Sequence, residues 1–288
     1  MVKAETVAEG ALVLIAGAGR LPELVAESLR RAHRPFRIIA LRGFTGPVLR
    51  KSADATVDLL DLAATLKLLR RWGPAIVVPA GGVSRPSPAA ILNAGAALRN
   101  RDALRAIAGG GDDRLLRAAL ALVEEEGHRV LGVHEAAPDL LCPEGPIGRR
   151  QPGSEAAASI ATGRGVLEAL SPYDLGQAIV VSGDRVLAVE GPEGTDRMLA
   201  RARALGRRPF GWGRALPATV LVKAPKVGQD WRIDLPAIGP RTVRNAARAG
   251  CIGLVLEAGG TLVIDRVATA AEADRLGLFV VGYGGPPR

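Results

Sequence analysis

Histidine and cysteine are nearly missing from this chain of 288 residues, which has three of the first and two of the second. His33, His128, His134, Cys142 and Cys251 offer no ligand spacing for a zinc cluster. No Gly-x-Ser-x-Gly elbow occurs, and no histidine lies beyond residue 134, so a serine-histidine hydrolase is not expected. Two cysteines make no disulfide framework, which suits a reducing compartment. Aromatic residues supply only 3% of the chain, too few for a base-stacking platform, and nucleic acid is not an expected partner. No run approaches the roughly 18 apolar residues of a membrane span, and residues 1–10 carry Glu5 and Glu9 rather than a leader pattern. A soluble, cytoplasmic protein is expected.

Positive charge is present in excess, a net +9 carried mainly by arginine. It is compatible with a phosphorylated metabolite or an anionic membrane face. A GC-rich genome would produce the same Arg/Ala/Gly bias without any function.

The length predicts two domains, and the pattern of apolar runs predicts that both are α/β. Residues 11–16, 36–41, 75–79 and 129–133 read as strands, alternating with helical patterns over 21–32, 62–71, 89–98 and 114–126. This describes a mainly parallel sheet with flanking helices in an N-terminal domain, residues 1–135. Residues 136–153 hold Pro138, Pro143, Pro146 and Pro152 and read as a linker. The C-terminal domain, 154–288, shows helices over 154–169, 196–205, 241–249 and 267–276. Its strands are expected at 177–181, 185–190, 218–222, 251–256, 261–265 and 278–281. Hairpin signals at 182–184 and 257–260 make this second sheet mixed.

Chemistry concentrates in four loops. Gly17-Ala-Gly19-Arg20-Leu-Pro22 starts as a dinucleotide fingerprint but has Pro22 in place of the third glycine. A phosphate or sugar hydroxyl at the helix start is the milder reading, and a plain tight turn the bland one. Gly81, Gly82 and Arg85 follow the third strand at the same sheet edge, where α/β proteins bind ligands, and Arg85 could meet a phosphate. Glu190, Glu193 and Asp196 form an acidic turn after a strand. Helix-dipole complementation explains Asp196 but leaves Glu190 unexplained. Glu190 and Asp196 are therefore candidate ligands of Mg²⁺, a hard ion suited to oxygen donors. In the segment 223–240, Lys223 could neutralise a phosphate. Asp234, between Ile233 and Leu235 and before Pro236, reads as a fixed, partly enclosed carboxylate with a functional role, and Asp230 as the neighbouring, weaker candidate.

Taken together, Gly17-Ala-Gly19-Arg-Leu-Pro22, Leu41-Arg-Gly-Phe44, Asp112-Asp113, Asp174-Leu-Gly176-Gln177, Glu190-Gly-Pro-Glu193-Gly-Thr195-Asp196 and Asp234-Leu-Pro236-Ala-Ile-Gly239-Pro240 resemble, in order and over nearly the whole chain, the bacterial UDP-2,3-diacylglucosamine pyrophosphatases of the type unrelated to calcineurin-like phosphoesterases. The resemblance implies two domains that close around the substrate. It also implies an Mg²⁺-dependent hydrolysis of UDP-2,3-diacylglucosamine to UMP and 2,3-diacylglucosamine 1-phosphate (lipid X) in lipid A biosynthesis. Asp234 falls on the family's catalytic aspartate, and Gln177 and Thr195 join the glycines, Arg85 and Lys223 as substrate-binding candidates. Ala237 replaces a more usual threonine. A peripheral position on the anionic inner-membrane leaflet and room for a homodimer complete the expectation. A nucleotide-sugar or dinucleotide binding module without hydrolysis is the alternative.

Overall fold

The computed structural model describes residues 11–83, 112–173, 175–206 and 218–284. They divide into two compact units, one made of residues 1–139 with 231–234 and the other of 140–230 with 235–288. The chain therefore returns to the first unit for four residues, inside the stretch that the sequence assigned to the C-terminal domain.

In the first unit, β1 (Ala11–Ala16), β2 (Phe36–Leu41), β3 (Ala55–Val57), β4 (Ala75–Ala80) and β5 (Arg129–Val130) form one sheet in the order β3-β2-β1-β4-β5. Every pairing is parallel. The central strands are apolar on both sides, as a sheet covered on both faces requires: Val13, Leu14, Ile39, Val77 and Val78 are fully buried. Helix α1 (Leu21–Arg31) buries Leu24, Val25, Ala26 and Leu29 on one face and sets Pro22 in its first turn, where a missing N–H costs nothing. Short α2 (Pro47–Lys51), α3 (Leu62–Trp72), capped by Asp61, and α4 (Asp112–Glu125) complete the crossovers. Strand order reverses between β1 and β4, and ligands of open α/β sheets sit at the carboxyl ends of such strands.

The second unit holds a mixed sheet of β6 (Gly145–Pro146), β7 (Ala178–Ser182), β8 (Arg185–Val189), β9 (Thr219–Lys223), β11 (Gly253–Ala258) and β13 (Phe279–Gly284), in the order β6-β13-β11-β9-β7-β8. Alternate residues feed two cores. Val180, Leu221, Leu254 and Leu256 face one, with Met198 and Leu199 of α7 (Thr195–Gly206), Val243 of α8 (Pro240–Arg248) and Ala273 of α9 (Arg266–Leu276). Ile179, Val181, Val220, Val222 and Val255 face the other, with Leu167 of α6 (Ala157–Leu170). Gly163 lets α6 lie close on the sheet, because a Cβ there would come within 2.4 Å of Val222.

Three expectations change. Residues 257–260 close no hairpin: β12 (Leu262–Val263) pairs in parallel with β10 (Ala237–Ile238) in a separate small sheet. The backbone donors after the turn find distant acceptors, Gly259 N on Cys142 O, Leu262 N on Pro236 O and Ile264 N on Ile238 O, so none is left for β11. The strand expected over 129–133 stops at Val130, since Glu135 Oε2 accepts from Gly132 N and turns the chain into α5 (Val133–Ala136). The proline-rich stretch 136–153 is not a bare linker, for it contains a short 3₁₀ turn at Pro138–Leu140 and the edge strand β6. The helix expected over 89–98 lies outside the described residues.

Candidate functional site

At the switch point of the first unit the loops after β1 and β4 are bound to each other. Gly17 N donates to Ala80 O (2.8 Å), Ala18 N to Gly82 O (2.7 Å) and Gly82 N to Ala18 O (3.0 Å). Gly17 and Gly81 are glycine for this contact: a Cβ at 17 would lie 2.8 Å from Gly82 O, and one at 81, where φ is +92°, 2.5 Å from Ala18 O and 2.7 Å from Pro22 Cγ. Pro22 thus packs on the neighbouring loop, the job the absent third glycine would do in a dinucleotide fingerprint. Gly19 and Gly82 differ, because among the described residues a Cβ at either would meet nothing within 4 Å, although Gly19 also holds a φ of +88° that favours glycine. Those two leave space open, and α1 begins beside them with no side-chain cap. Buried Thr45 ties the adjacent strand ends, its hydroxyl donating to Ala16 O (2.5 Å) and accepting from Leu41 N (2.8 Å). Arg20 turns aside to Glu23 and Glu27 of its own helix, and these carboxylates raise its pKa further. Arg85 lies outside the described residues.

In the second unit the acidic turn is tied inward. Glu190 is buried at the end of β8: Oε1 accepts from Thr195 Oγ1 (2.5 Å), and Oε2 accepts from Gln177 N (3.0 Å) and lies 3.7 Å from Lys223 Nζ. Lys223 Nζ also donates to Thr195 Oγ1 at 2.7 Å. Gly176 admits the closeness, since a Cβ there would fall 2.3 Å from Glu190 O. Glu193 pairs with Arg201 of α7, and Asp196 accepts from Arg241 and from Asn245 Nδ2 (2.7 Å) of α8. The structure therefore brings Glu190, Thr195, Lys223 and the Gln177 amide together but gives Asp196 separate partners. Among the described residues no group of three or more His, Cys, Asp or Glu side chains is arranged to hold a metal ion. With both Glu190 oxygens accepting from protein donors and a lysine already beside them, this turn does not fit a preformed Mg²⁺ site.

Asp234 ends the four-residue return to the first unit. Before it, Ile233 packs on the core formed by Val13, Leu69 and Val123. Arg232 Nη1 donates to Glu124 Oε1 of α4 (2.7 Å), and the Trp231 ring stands edge-on to His134, centroids 5.4 Å apart. Sequence reasoning gave none of these neighbours a role. The only signal was the presence of Trp231 and Arg232 within the polar segment. Cys142 and Cys251 are buried, and burial pushes both thiols up to about 12, so neither is a nucleophile.

A parallel sheet with glycines at its switch point, in a unit that also takes in the segment ending at Asp234, defines an α/β protein whose sheet edge suits a phosphorylated ligand. Family models take this further: that of the LpxI N-terminal domain matches residues 11–140, and that of the LpxI C-terminal domain residues 143–281. Over 271 residues, 94% of this chain and 96% of the relative, the chain is 41% identical to the UDP-2,3-diacylglucosamine pyrophosphatase LpxI of Caulobacter vibrioides. The chain belongs to the LpxI family.

Proposed function

We propose that this protein hydrolyses the pyrophosphate bond of UDP-2,3-diacylglucosamine in lipid A biosynthesis. The observation that carries the reading is the 41% identity with the Caulobacter vibrioides pyrophosphatase across both units. Water adds across the P–O–P anhydride, leaving UMP and 2,3-diacylglucosamine 1-phosphate. Such a reaction needs a carboxylate to orient or deprotonate water and positive charge on the phosphates, with little covalent help from the protein. Asp234 is the carboxylate in this reading. Gly19 and Gly82, where a Cβ would meet nothing within 4 Å among the described residues, are where substrate approaches the first unit, and Arg85, three positions further along the sequence, is the candidate cation for a phosphate. Glu190, Thr195 and Lys223 instead hold the acidic turn and Gln177 in place. Mg²⁺, for which the described residues form no carboxylate cage, belongs here with the substrate's diphosphate and Asp234 rather than with Glu190 or Asp196. The net charge of +9 supports work at an anionic leaflet, where the acyl chains of the substrate reside. Among the described residues no helix is long and apolar enough to cross a membrane.

The test is incubation of the purified protein with UDP-2,3-diacylglucosamine, with and without Mg²⁺. UMP is expected, and only with the metal. Bound substrate with no UMP under either condition would instead indicate a non-hydrolytic binding module.

A further inference from the structure

The half-buried segment that ends at Asp234 belongs to the first unit through the contacts of the three residues before it. In succession the chain sets an indole edge on His134, pairs a guanidinium with Glu124 and packs a partly buried isoleucine against the core. Gly132 completes the arrangement. Its φ of −77° is ordinary, yet a Cβ there would lie 2.4 Å from His134 Nδ1 and 3.0 Å from Arg232 Cα, so a side chain at 132 would push the His134 ring and crowd the backbone of residue 232. The anchoring stops at Asp234, since Leu235 already belongs to the second unit.

We propose that Trp231 and Arg232 are positioning residues for Asp234: their dock on His134, Gly132 and Glu124 fixes where the carboxylate stands. The inference rests on the reading of Asp234 as the catalytic carboxylate. A shift of about 1 Å in a reacting group can cost on the order of 10²-fold in rate, so a loosened dock acts on turnover while the groups that bind substrate stay intact.

The experiment is a double-mutant cycle on the full-length protein, with UMP release followed at saturating and limiting UDP-2,3-diacylglucosamine. Trp231→Ala is expected to lower kcat about tenfold with KM changed by less than about twofold, and Trp231→Phe, which keeps an aromatic edge for His134, to restore most of it. In an Asp234→Ala background Trp231→Ala should lower the residual rate no further. Arg232→Gln, half-exposed and safe for folding, goes through the same cycle and should show a smaller kcat loss with the same silence. Equal losses from Trp231→Ala and Arg232→Gln with and without Asp234, or losses confined to KM, would overturn the positioning role alone. A near-normal rate for Asp234→Ala itself would overturn the reading of that aspartate, and the positioning role with it.

Discussion

The Lys223 ammonium lies 3.7 Å from Glu190 Oε2, the two side chains only 6% and 10% exposed, with the Thr195 hydroxyl bridging them. A cation at the end of one strand and an anion at the end of another are thus neutralised inside the second unit. Removing the Lys223 ammonium leaves the buried Glu190 carboxylate with the neutral Thr195 hydroxyl and Gln177 amide where a countercharge had stood.

Lys223→Met should therefore destabilise the protein by about 3 kcal/mol or more. Urea unfolding would read it as a lower midpoint at unchanged slope. Adding Glu190→Gln to Lys223→Met should recover part of the loss, because the stranded charge is gone. A Lys223→Met variant of normal stability but raised KM would assign the ammonium to substrate instead.

Asp234→Ala should lose about 10²-fold or more in turnover, the range of general-base effects, with KM changed little. Asp230→Ala, made in parallel, should stay near the wild-type rate. The reverse ranking in a UMP-release assay would move the chemistry to Asp230.

The glycines at the switch point should separate by role. Gly82→Ala adds a Cβ that meets nothing within 4 Å among the described residues, so thermal stability should hold while KM rises severalfold if substrate occupies that space. Gly17→Ala drives its Cβ to 2.8 Å from Gly82 O and should cost about 1–3 kcal/mol of stability. An unchanged KM in Gly82→Ala would reduce the loop to a structural turn.

Asp139 sets an acid limit on the first unit. Burial works against its charge, but Ser28 and Arg31 of α1, the latter at 2.7 Å, outweigh that and hold its pKa below the ordinary 3.8. A depressed carboxylate stabilises the fold in full above the unfolded value and loses that contribution as pH falls through the folded one. The melting temperature of Asp139→Asn should lie below wild type at pH 7, and the gap should close as pH drops beneath about 4. A gap that does not narrow as pH falls below the ordinary 3.8 and on into strong acid would mean that Ser28 and Arg31 do not act through the charge.

Most strands of the two large sheets were legible in the sequence because their signals are local, whereas the short β3, β6 and β10 were not. β1 and β2 begin and end where the apolar runs do, and α1 starts at the Pro22 turn, since strand alternation, helix periodicity and proline geometry each depend on a few neighbouring residues. Asp234 stood out by the same means, as a carboxylate between two aliphatic residues and a proline. The partners of these groups were not legible. Gly259, Leu262 and Ile264 satisfy their amides on Cys142, Pro236 and Ile238, which turned an expected hairpin into part of another sheet. Glu190 looked like an open metal ligand until the fold set Lys223 and Thr195 against it. Nothing near Trp231 in the chain foretells His134, almost a hundred positions earlier. The sequence by itself determined most of the strands and helices, and it singled out which residues are candidates for chemistry. Which acid faces a lysine, which glycine faces open space and which unit holds Asp234 depended on contacts between distant segments, and only the packed tertiary structure decided them.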